Sequence, residues 1–533
     1  MTAEAEAAPP ARTRSSDVLD ALRALEYGPY GPGPEGLVPP LNALVASPEL
    51  RAAGPHWWST FDERARLAHW PLPGSAGPDP TSPARRRLLP VRPRTRPAGV
   101  LLPFWDWALA VCAANGRTRQ AALAPELLPL GTPVLIPLLV IRSADWAEPV
   151  RDAARSALTE VLAQARPAEL VQAAVMAWGF ERRLHGEQAV GLVTVRLARA
   201  GADSGVWRSL HAHPDHRVRR RALAQAVGLG HCGPQQLLAL AVSDPDVLVA
   251  RHAAEHLLNT LVPAGTERPV TREAEPALRT LLGSRAPAVR AVAVTVLRRG
   301  GRPDLAAPFT VDRAAQVREV ARWVLRSHGQ DPAPVCRAFL AGPAEQVTPG
   351  MVSGTAECGD GTDTDLLRAR LTHRRPKVRA AALHALGTMR PPAVTVAELQ
   401  DLMDRDPSPG VLRTAAALLE PDAATVPRQR LDAWVAPGRP AHLRMRAARL
   451  LRARGPWDRV ETDLRLLRDA DAELAGAARS DLRVWADFSA ATYRRLDDGQ
   501  REVILSLLEA AADAVPARVL DRVRFAVGRA AVG

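Results

Sequence analysis

The 533-residue sequence predicts an all-α fold, an α-α superhelix of stacked helical pairs. Three observations predict it. A polar turn, a branched apolar residue, an arginine and an Ala/Leu-rich run recur together along the chain. An alanine stands four residues after the apolar anchor, and a large apolar residue stands eleven residues before it.

The repeat is read in "ADWAEPVRDAARSAL", "AHPDHRVRRRALAQAVG", "SDPDVLVARHAAEHLL", "SRAPAVRAVAVTVL", "VDRAAQVREVARWVL", "HRRPKVRAAALHALG", "RDPSPGVLRTAAALL" and "PAHLRMRAARLL". The anchors are Val150, Val218, Val249, Val289, Val317, Val378, Val411 and Met445, with Leu474 as a ninth. They are 68, 31, 40, 28, 61, 33, 34 and 29 residues apart, so each of the two long gaps is expected to hide one diverged repeat. Ala154, Ala222, Ala253, Ala293, Ala321, Ala382, Ala415 and Ala478 hold the small position; only the Met445 repeat departs, with Arg449. One turn beyond the anchor, a small side chain lets neighbouring helices approach closely. Leu139, Trp207, Leu238, Leu278, Leu367 and Trp434, eleven residues before their anchors, belong to a preceding helix. Such a pair cannot bury its apolar face alone and must stack.

This pattern resembles the HEAT-repeat family, in its bacterial PBS-lyase-like form, over roughly residues 128 to 485. The resemblance implies a solenoid whose second helices line a concave surface. It also implies that the arginine after each anchor (Arg151, Arg219, Arg290, Arg318, Arg379, Arg446) pairs with a turn aspartate of the neighbouring repeat, for which Asp145, Asp215, Asp246 and Asp406 are available. Such repeats serve scaffolds, adaptors and a few enzymes, so fold alone does not name the function.

From end to end, residues 1–120 are expected to form an irregular helical cap, 121–485 a solenoid of about ten to eleven helical pairs, and 486–533 a capping helical pair. In the cap, "SSDVLDALRALEYG" reads as an amphipathic helix with Val18, Leu19, Leu22 and Leu25 on one face. Trp57, Trp58, Trp70, Trp105 and Trp107 form an aromatic cluster that either packs under the first repeat or offers a recognition surface. Between them, near 73–97, a Pro-rich linker carries Arg85, Arg86, Arg87, Arg92, Arg94 and Arg96, a basic arm able to grip phosphate or an acidic partner. Ala341 to Asp365 holds so much Gly, Pro and Thr that a protruding loop is expected there.

Composition narrows the chemistry. The formal charge is +13, and apart from Lys377 every cation is arginine. Arginine beside abundant Ala, Pro, Leu, Val and Gly reflects GC-rich codons of a bacterial source, so the charge is a modest argument for nucleic acid. Cys112, Cys232, Cys336 and Cys358 form no C-x-x-C pair, which points away from a disulfide framework and toward a reducing, cytoplasmic setting. The start "MTAEAEAAPPARTRSS" has no signal-peptide pattern, and the most apolar run, Leu127 to Ile141, is too short for a bilayer and holds three prolines, so no membrane partner is expected.

"HAHPDH", His211 to His216, has the spacing of a two-metal hydrolase motif, but it lies between two repeat helices rather than after a strand. A weaker metal site remains conceivable at His211, His213, His216, His252 and His256, of which the last two are spaced i, i+4. "HAAEH" lacks the H-E-x-x-H order. No phosphate loop, dinucleotide fingerprint or nucleophile elbow is present. No catalytic residue and no cofactor is assigned. The expected function is a non-enzymatic scaffold or adaptor that binds another macromolecule, a protein before nucleic acid, on its concave surface. The alternative is a DNA-acting HEAT-like enzyme resembling the alkylpurine DNA glycosylases, or a lyase-type relative; it requires a pocket grouping an acidic residue with arginines and an exposed aromatic.

Overall fold

The computed structural model describes residues 15–25, 41–42, 44, 49–50, 53–67, 103–202, 204–263, 270–488 and 495–530. Every regular element among them is a helix. They group into two compact units, Met1–Leu257 and Leu258–Gly533.

In the first unit, helix Ser15–Leu25 packs on Pro55–Leu67, which in turn packs on Leu135–Arg142 and Pro167–Phe180. Antiparallel pairs follow: Pro103–Val111 with Gly116–Ala122, Leu135–Arg142 with Glu148–Ala163, Pro167–Phe180 with Gly186–Arg199, and Gly205–His211 with His216–Gly228. All eight residues of Leu135–Arg142 are buried, so the second half of the most apolar run of the chain is a helix with protein on every side. In the second unit the pairing runs from Glu275–Leu282 with Pro287–Arg299 to Asp498–Ala510 with Ala517–Ala530. Both long gaps hold the expected diverged pair: Gly186–Arg199 closes one, and Pro332–Leu340 with Pro349–Cys358 fills the other.

The second helix of each pair has a fixed register. Counted from the N-cap, the apolar anchor is the third helical residue and the alanine the seventh in the legible repeats, and the arginine, where present, is the fourth. Asp215, Ala286, Arg375 and Ser408 are N-caps, which places Val218, Val289, Val378 and Val411 third. Ala154, Ala222, Ala253, Ala293, Ala321, Ala382, Ala415 and Ala478 are fully buried. One copy is shifted from the sequence expectation. Pro440 is the N-cap of Ala441–Ala453, so the anchor is Leu443 rather than Met445, the arginine Arg444 rather than Arg446, and the small residue Ala447 rather than Arg449. "AHLRMRAARLL" offers two apolar–arginine steps, and only the cap decides between them.

The fourth-position arginine lashes the stack together. A helical side chain leans toward the helix N-terminus, so this guanidinium folds back over its own turn. Arg290 donates from Nη1 to the carbonyls of Ser284 and Arg285 at 2.8 and 3.1 Å. Its Nε and Nη2 grip Asp312 in the next turn at 2.9 and 2.6 Å. Arg219 does the same with Asp244 and Arg379 with Asp406, while Arg444 grips Asp469 through Nη1 and Nη2 and donates its Nε to the Val435 carbonyl. Each of these aspartates also accepts the N–H of the residue two further on, the N-cap of its own second helix. One carboxylate thus closes a turn and joins two repeats. The ladder starts earlier than the legible repeats, with Arg119 on Asp145 at 3.0 and 3.1 Å. The partners are only partly those expected. Asp145 and Asp406 hold rungs, whereas Asp215 caps its helix through the Arg217 N–H and Asp246 pairs with Arg220. Arg318 reaches Glu357 instead of a turn aspartate.

The stretch 341–365 is not a protruding loop. It contains helix Pro349–Cys358, and its glycines are a packing face: a Cβ on Gly350 would stand 2.3 Å from the Val311 carbonyl oxygen, and one on Gly354 2.4 Å from that of Thr310.

Beyond the ladder, the second unit buries Asp463 of Pro456–Leu466 completely, beside Arg452 and Asp481. Burial, with the hydrogen bond and charge of Asp481, pushes Asp463 up to about 8 against the pull of Arg452.

Two outcomes follow. Arg290→Met leaves the Asp312 carboxylate without its partner and should cost about 3 kcal/mol in urea unfolding, while Arg290→Met/Asp312→Leu should cost less than the single change. Asp463→Asn should stabilise. The raised folded-state pKa means that wild-type stability falls as pH rises from the ordinary carboxylate range to about 8, at roughly 1.4 kcal/mol per pH unit for this group. The gain in melting temperature should therefore be large at pH 8 and small at pH 5; equal gains at both would contradict it.

Candidate functional site

The ladder explains the histidine motif. Where the fourth helical residue is Ala189 or Val352 instead of arginine, the next turn needs no carboxylate. There His213 and His373 occupy the aspartate's place, and each Nδ1 accepts the N–H two residues on, at 3.1 and 3.0 Å. His211 stacks on Trp207 with burial lowering its pKa, and His216 is exposed next to Asp215. His252 and His256 lie on exposed positions of helix Val247–Leu261. Among the described residues no group of three or more His, Cys, Asp or Glu side chains is placed to hold a metal ion. His211 and His213 instead line a cleft of about 720 Å³ with Arg208, Leu240, Arg219 and Asp244, the last two being a closed rung.

The aromatic cluster is largely core. Trp58, Trp105 and Trp107 are buried, with Phe61 5.6 Å from Trp58 and 5.9 Å from Trp105, and Trp107 donates to the Ala122 carbonyl. Trp57 is half-buried and stacks on Phe61. Trp70 and the basic arm Arg85, Arg86, Arg87, Arg92, Arg94 and Arg96 lie outside the described residues.

One rung of the first unit is open. Arg151 donates to the Asp145 and Trp146 carbonyls like any other rung arginine. Among the described residues no carboxylate meets it, and its buried Nε has no partner. In the next turn Glu181 is taken by Arg221, and the position that holds aspartate elsewhere, two residues before the N-cap His185, is Arg183.

The backbone holds this turn tightly. His185 adopts a left-handed conformation, φ 65°, uncommon for a residue with a side chain. A Cβ on Gly186 would stand 2.1 Å from the Phe180 carbonyl oxygen, so only glycine permits the turn to fold back on its helix. Gly179 lets Pro55 seat against helix Pro167–Phe180, since a Cβ there would meet Pro55 at 2.3 Å. That contact brings Asp62 and Arg66 beside the two turns.

The result is a pocket of about 270 Å³ lined by Asp62, Arg66, Arg142, Asp145, Trp146, Arg183 and Leu184, with Ile141 and Ala144. Its floor is a buried alternating chain of charge: Arg119, Asp145, Arg142 and Asp62, with Arg66 at its outer end, 3.3 Å from Asp62. Burial pushes Asp145 up, but the Ala147 N–H, Arg119 and Arg142 prevail and hold it below the usual carboxylate range. Burial and Asp62 push the neighbouring Cys112 thiol well up. Both acids are ion-paired, and the arrangement is suited to receive an anion rather than to exchange protons. On the rim Trp146 is 71% exposed and Leu184 75%, unusual for such large apolar groups. Of these residues only Asp145 and Arg151 were singled out by sequence. The available signal was negative: an arginine at rung position followed by "ERRLHGE", a turn with no aspartate in register.

Elsewhere, the Cys336 thiol donates to the Thr310 carbonyl and the Cys358 thiol to the Gly354 carbonyl. No helix among the described residues is long and apolar enough to cross a membrane.

Residues 350–420 match the family model for HEAT repeats. No curated protein matches the chain. Among solved structures, an engineered protein is 15% identical, with 81% of this chain and 100% of that chain covered and a TM-score of 0.18. Kap121p bound to RanGTP is 12% identical over 80% of this chain and 52% of its own, with a TM-score of 0.32. The karyopherin Kap121p bound to the extreme C-terminus of the protein phosphatase Cdc14p is 11% identical over 96% and 67%, with a TM-score of 0.32. The chain spans about half to two thirds of the length of these karyopherin chains. The matched repeat at residues 350–420, with the same helical register and arginine rungs in both units, supports a HEAT-repeat family.

Proposed function

We propose that the protein is a non-enzymatic scaffold that binds another protein through the turns of its first unit. The observation that carries this is the pairing of exposed Trp146 and Leu184 with arginines in a rung the fold leaves open. Tryptophan and arginine dominate the energetics of protein interfaces, and an exposed apolar pair beside a cavity is costly unless it is covered in use. This reading puts the anchor at the inter-helix turns, whereas the family resemblance implies the concave face. The other arginines that could suggest a phosphate-binding stripe, Arg219, Arg290, Arg379 and Arg444, are each held by an aspartate. A cytoplasmic setting fits this reading.

The second reading, a DNA-acting enzyme, has one observation in its favour: the pocket groups Asp62 and Asp145 with arginines and exposed Trp146. Against it, each carboxylate is engaged by guanidinium groups, which disfavours a role as base or nucleophile.

Affinity purification from the native host, read by mass spectrometry, tests the scaffold. A specific protein should co-purify and be lost with Trp146→Ala/Leu184→Ser while the melting temperature stays within about 2 °C, as expected for exposed positions. If no captured protein depends on these residues, and labelled duplex DNA instead binds more tightly as salt falls in a Trp146-dependent way, the enzyme reading replaces it.

A further inference from the structure

We propose that the open rung is closed from outside the chain, by an Asp or Glu side chain of a protein partner whose neighbouring apolar residue lies on Trp146 and Leu184. This rests on the scaffold reading and adds the chemistry of the contact.

The charge count points to an acid. Three guanidinium groups, Arg66, Arg142 and Arg183, line the pocket against two carboxylates, and Arg119 reinforces the cationic side from below. Among the described residues Arg183 meets no carboxylate; it donates to the Ser59 hydroxyl and its guanidinium lies 4.3 Å from the centre of the Phe180 ring. Its pKa is drawn below the usual arginine value, first by desolvation and, against the pull of Asp62, by Arg142 and Arg66. Arg66 and Arg142 are ion-paired within the chain, so among the described residues Arg183 is the guanidinium lining this pocket that is left to meet an incoming anion.

The pocket favours a carboxylate over a phosphate. The rungs through Arg119, Arg219, Arg290, Arg379 and Arg444 are each closed by an aspartate carboxylate gripped by two guanidinium nitrogens. Asp62 and Asp145 stand in the same pocket and repel a dianion more than a monoanion. The rim offers apolar surface, which suits a peptide with an aliphatic or aromatic residue beside its acid. The left-handed His185, which holds Arg183 and Leu184 at the tip of the turn, is strain of the kind that persists where a site uses it.

The test uses the full chain and a fluorescein-labelled octapeptide of alternating Asp and Leu, followed by anisotropy. An octapeptide of alternating Lys and Leu and a single-stranded oligo(dT) serve as comparators. The acidic peptide should bind, should weaken roughly tenfold with Arg183→Glu and with Trp146→Ala, and should be unaffected by Arg468→Glu, an exposed arginine of the other unit. Melting curves establish that each variant folds. Absence of binding, equal binding of the Lys/Leu peptide, indifference to Arg183→Glu, or oligo(dT) binding lost with Arg183→Glu would each overturn the proposal. If the peptide ignores Arg183→Glu while protein capture still depends on Trp146, this inference falls and the scaffold reading stands. If capture fails as well, both fall.

Discussion

The fourth residue of each second helix decides how one repeat meets the next. An arginine there has little freedom: the helix tilts its side chain back toward the turn it has just left. Two turn carbonyls lie within reach, and satisfying them leaves Nε and Nη2 facing the following repeat. A carboxylate placed to meet that fork must stand two residues before the next N-cap, where it can also take the N-cap N–H. A single Asp312 therefore answers Arg290, orders its own turn and sets the distance between neighbouring pairs. Apolar burial drives the stacking, while these buried, directional contacts select its register.

Departures from that rule carry more information than its instances. Loss of the arginine is harmless if the acid goes too, since His213 and His373 keep the N-cap bond without bringing an unpaired charge. Loss of the acid alone is different. Arg151 keeps its carbonyls, those of Asp145 and Trp146, and these two residues line the described cavity that also carries Arg183 and the exposed Trp146 and Leu184. Among the described residues, the rungs of Arg119, Arg219, Arg290, Arg318, Arg379 and Arg444 are closed by carboxylates of the chain, and that of Arg151 is suited to a partner.

Much of this was legible beforehand. Turn, anchor, arginine and alanine recur at helical spacing, so the pairs, their buried alanines and the two hidden repeats could be placed from sequence. What failed did so for identifiable reasons. Met445 was chosen over Leu443 because "LRMR" presents the same step twice and only the cap at Pro440 breaks the tie. The Gly-rich 341–365 segment was read as a loop because glycine is ambiguous: it marks a turn, or it marks a helix pressed against backbone, as at Gly350 and Gly354. The tryptophans near the N-terminus read as packing under the first repeat or as a recognition surface, and Trp58, Trp105 and Trp107 fill the core, while Trp146, 71% exposed, lies in a repeat turn.

Sequence alone determined the class of the molecule, since the period of apolar, small and arginine positions is a local property of helices and survives without coordinates. Tertiary structure decided which charges are spent and which are left over. An arginine reads the same whether an aspartate some 25 residues away grips it or nothing does, and that depends on how turns from successive repeats approach one another. The same holds for Asp463 against Asp481 and for Arg183 beside Arg142. Electrostatic pairing acts over a few ångströms of space, a distance that repeat spacing along the chain does not specify.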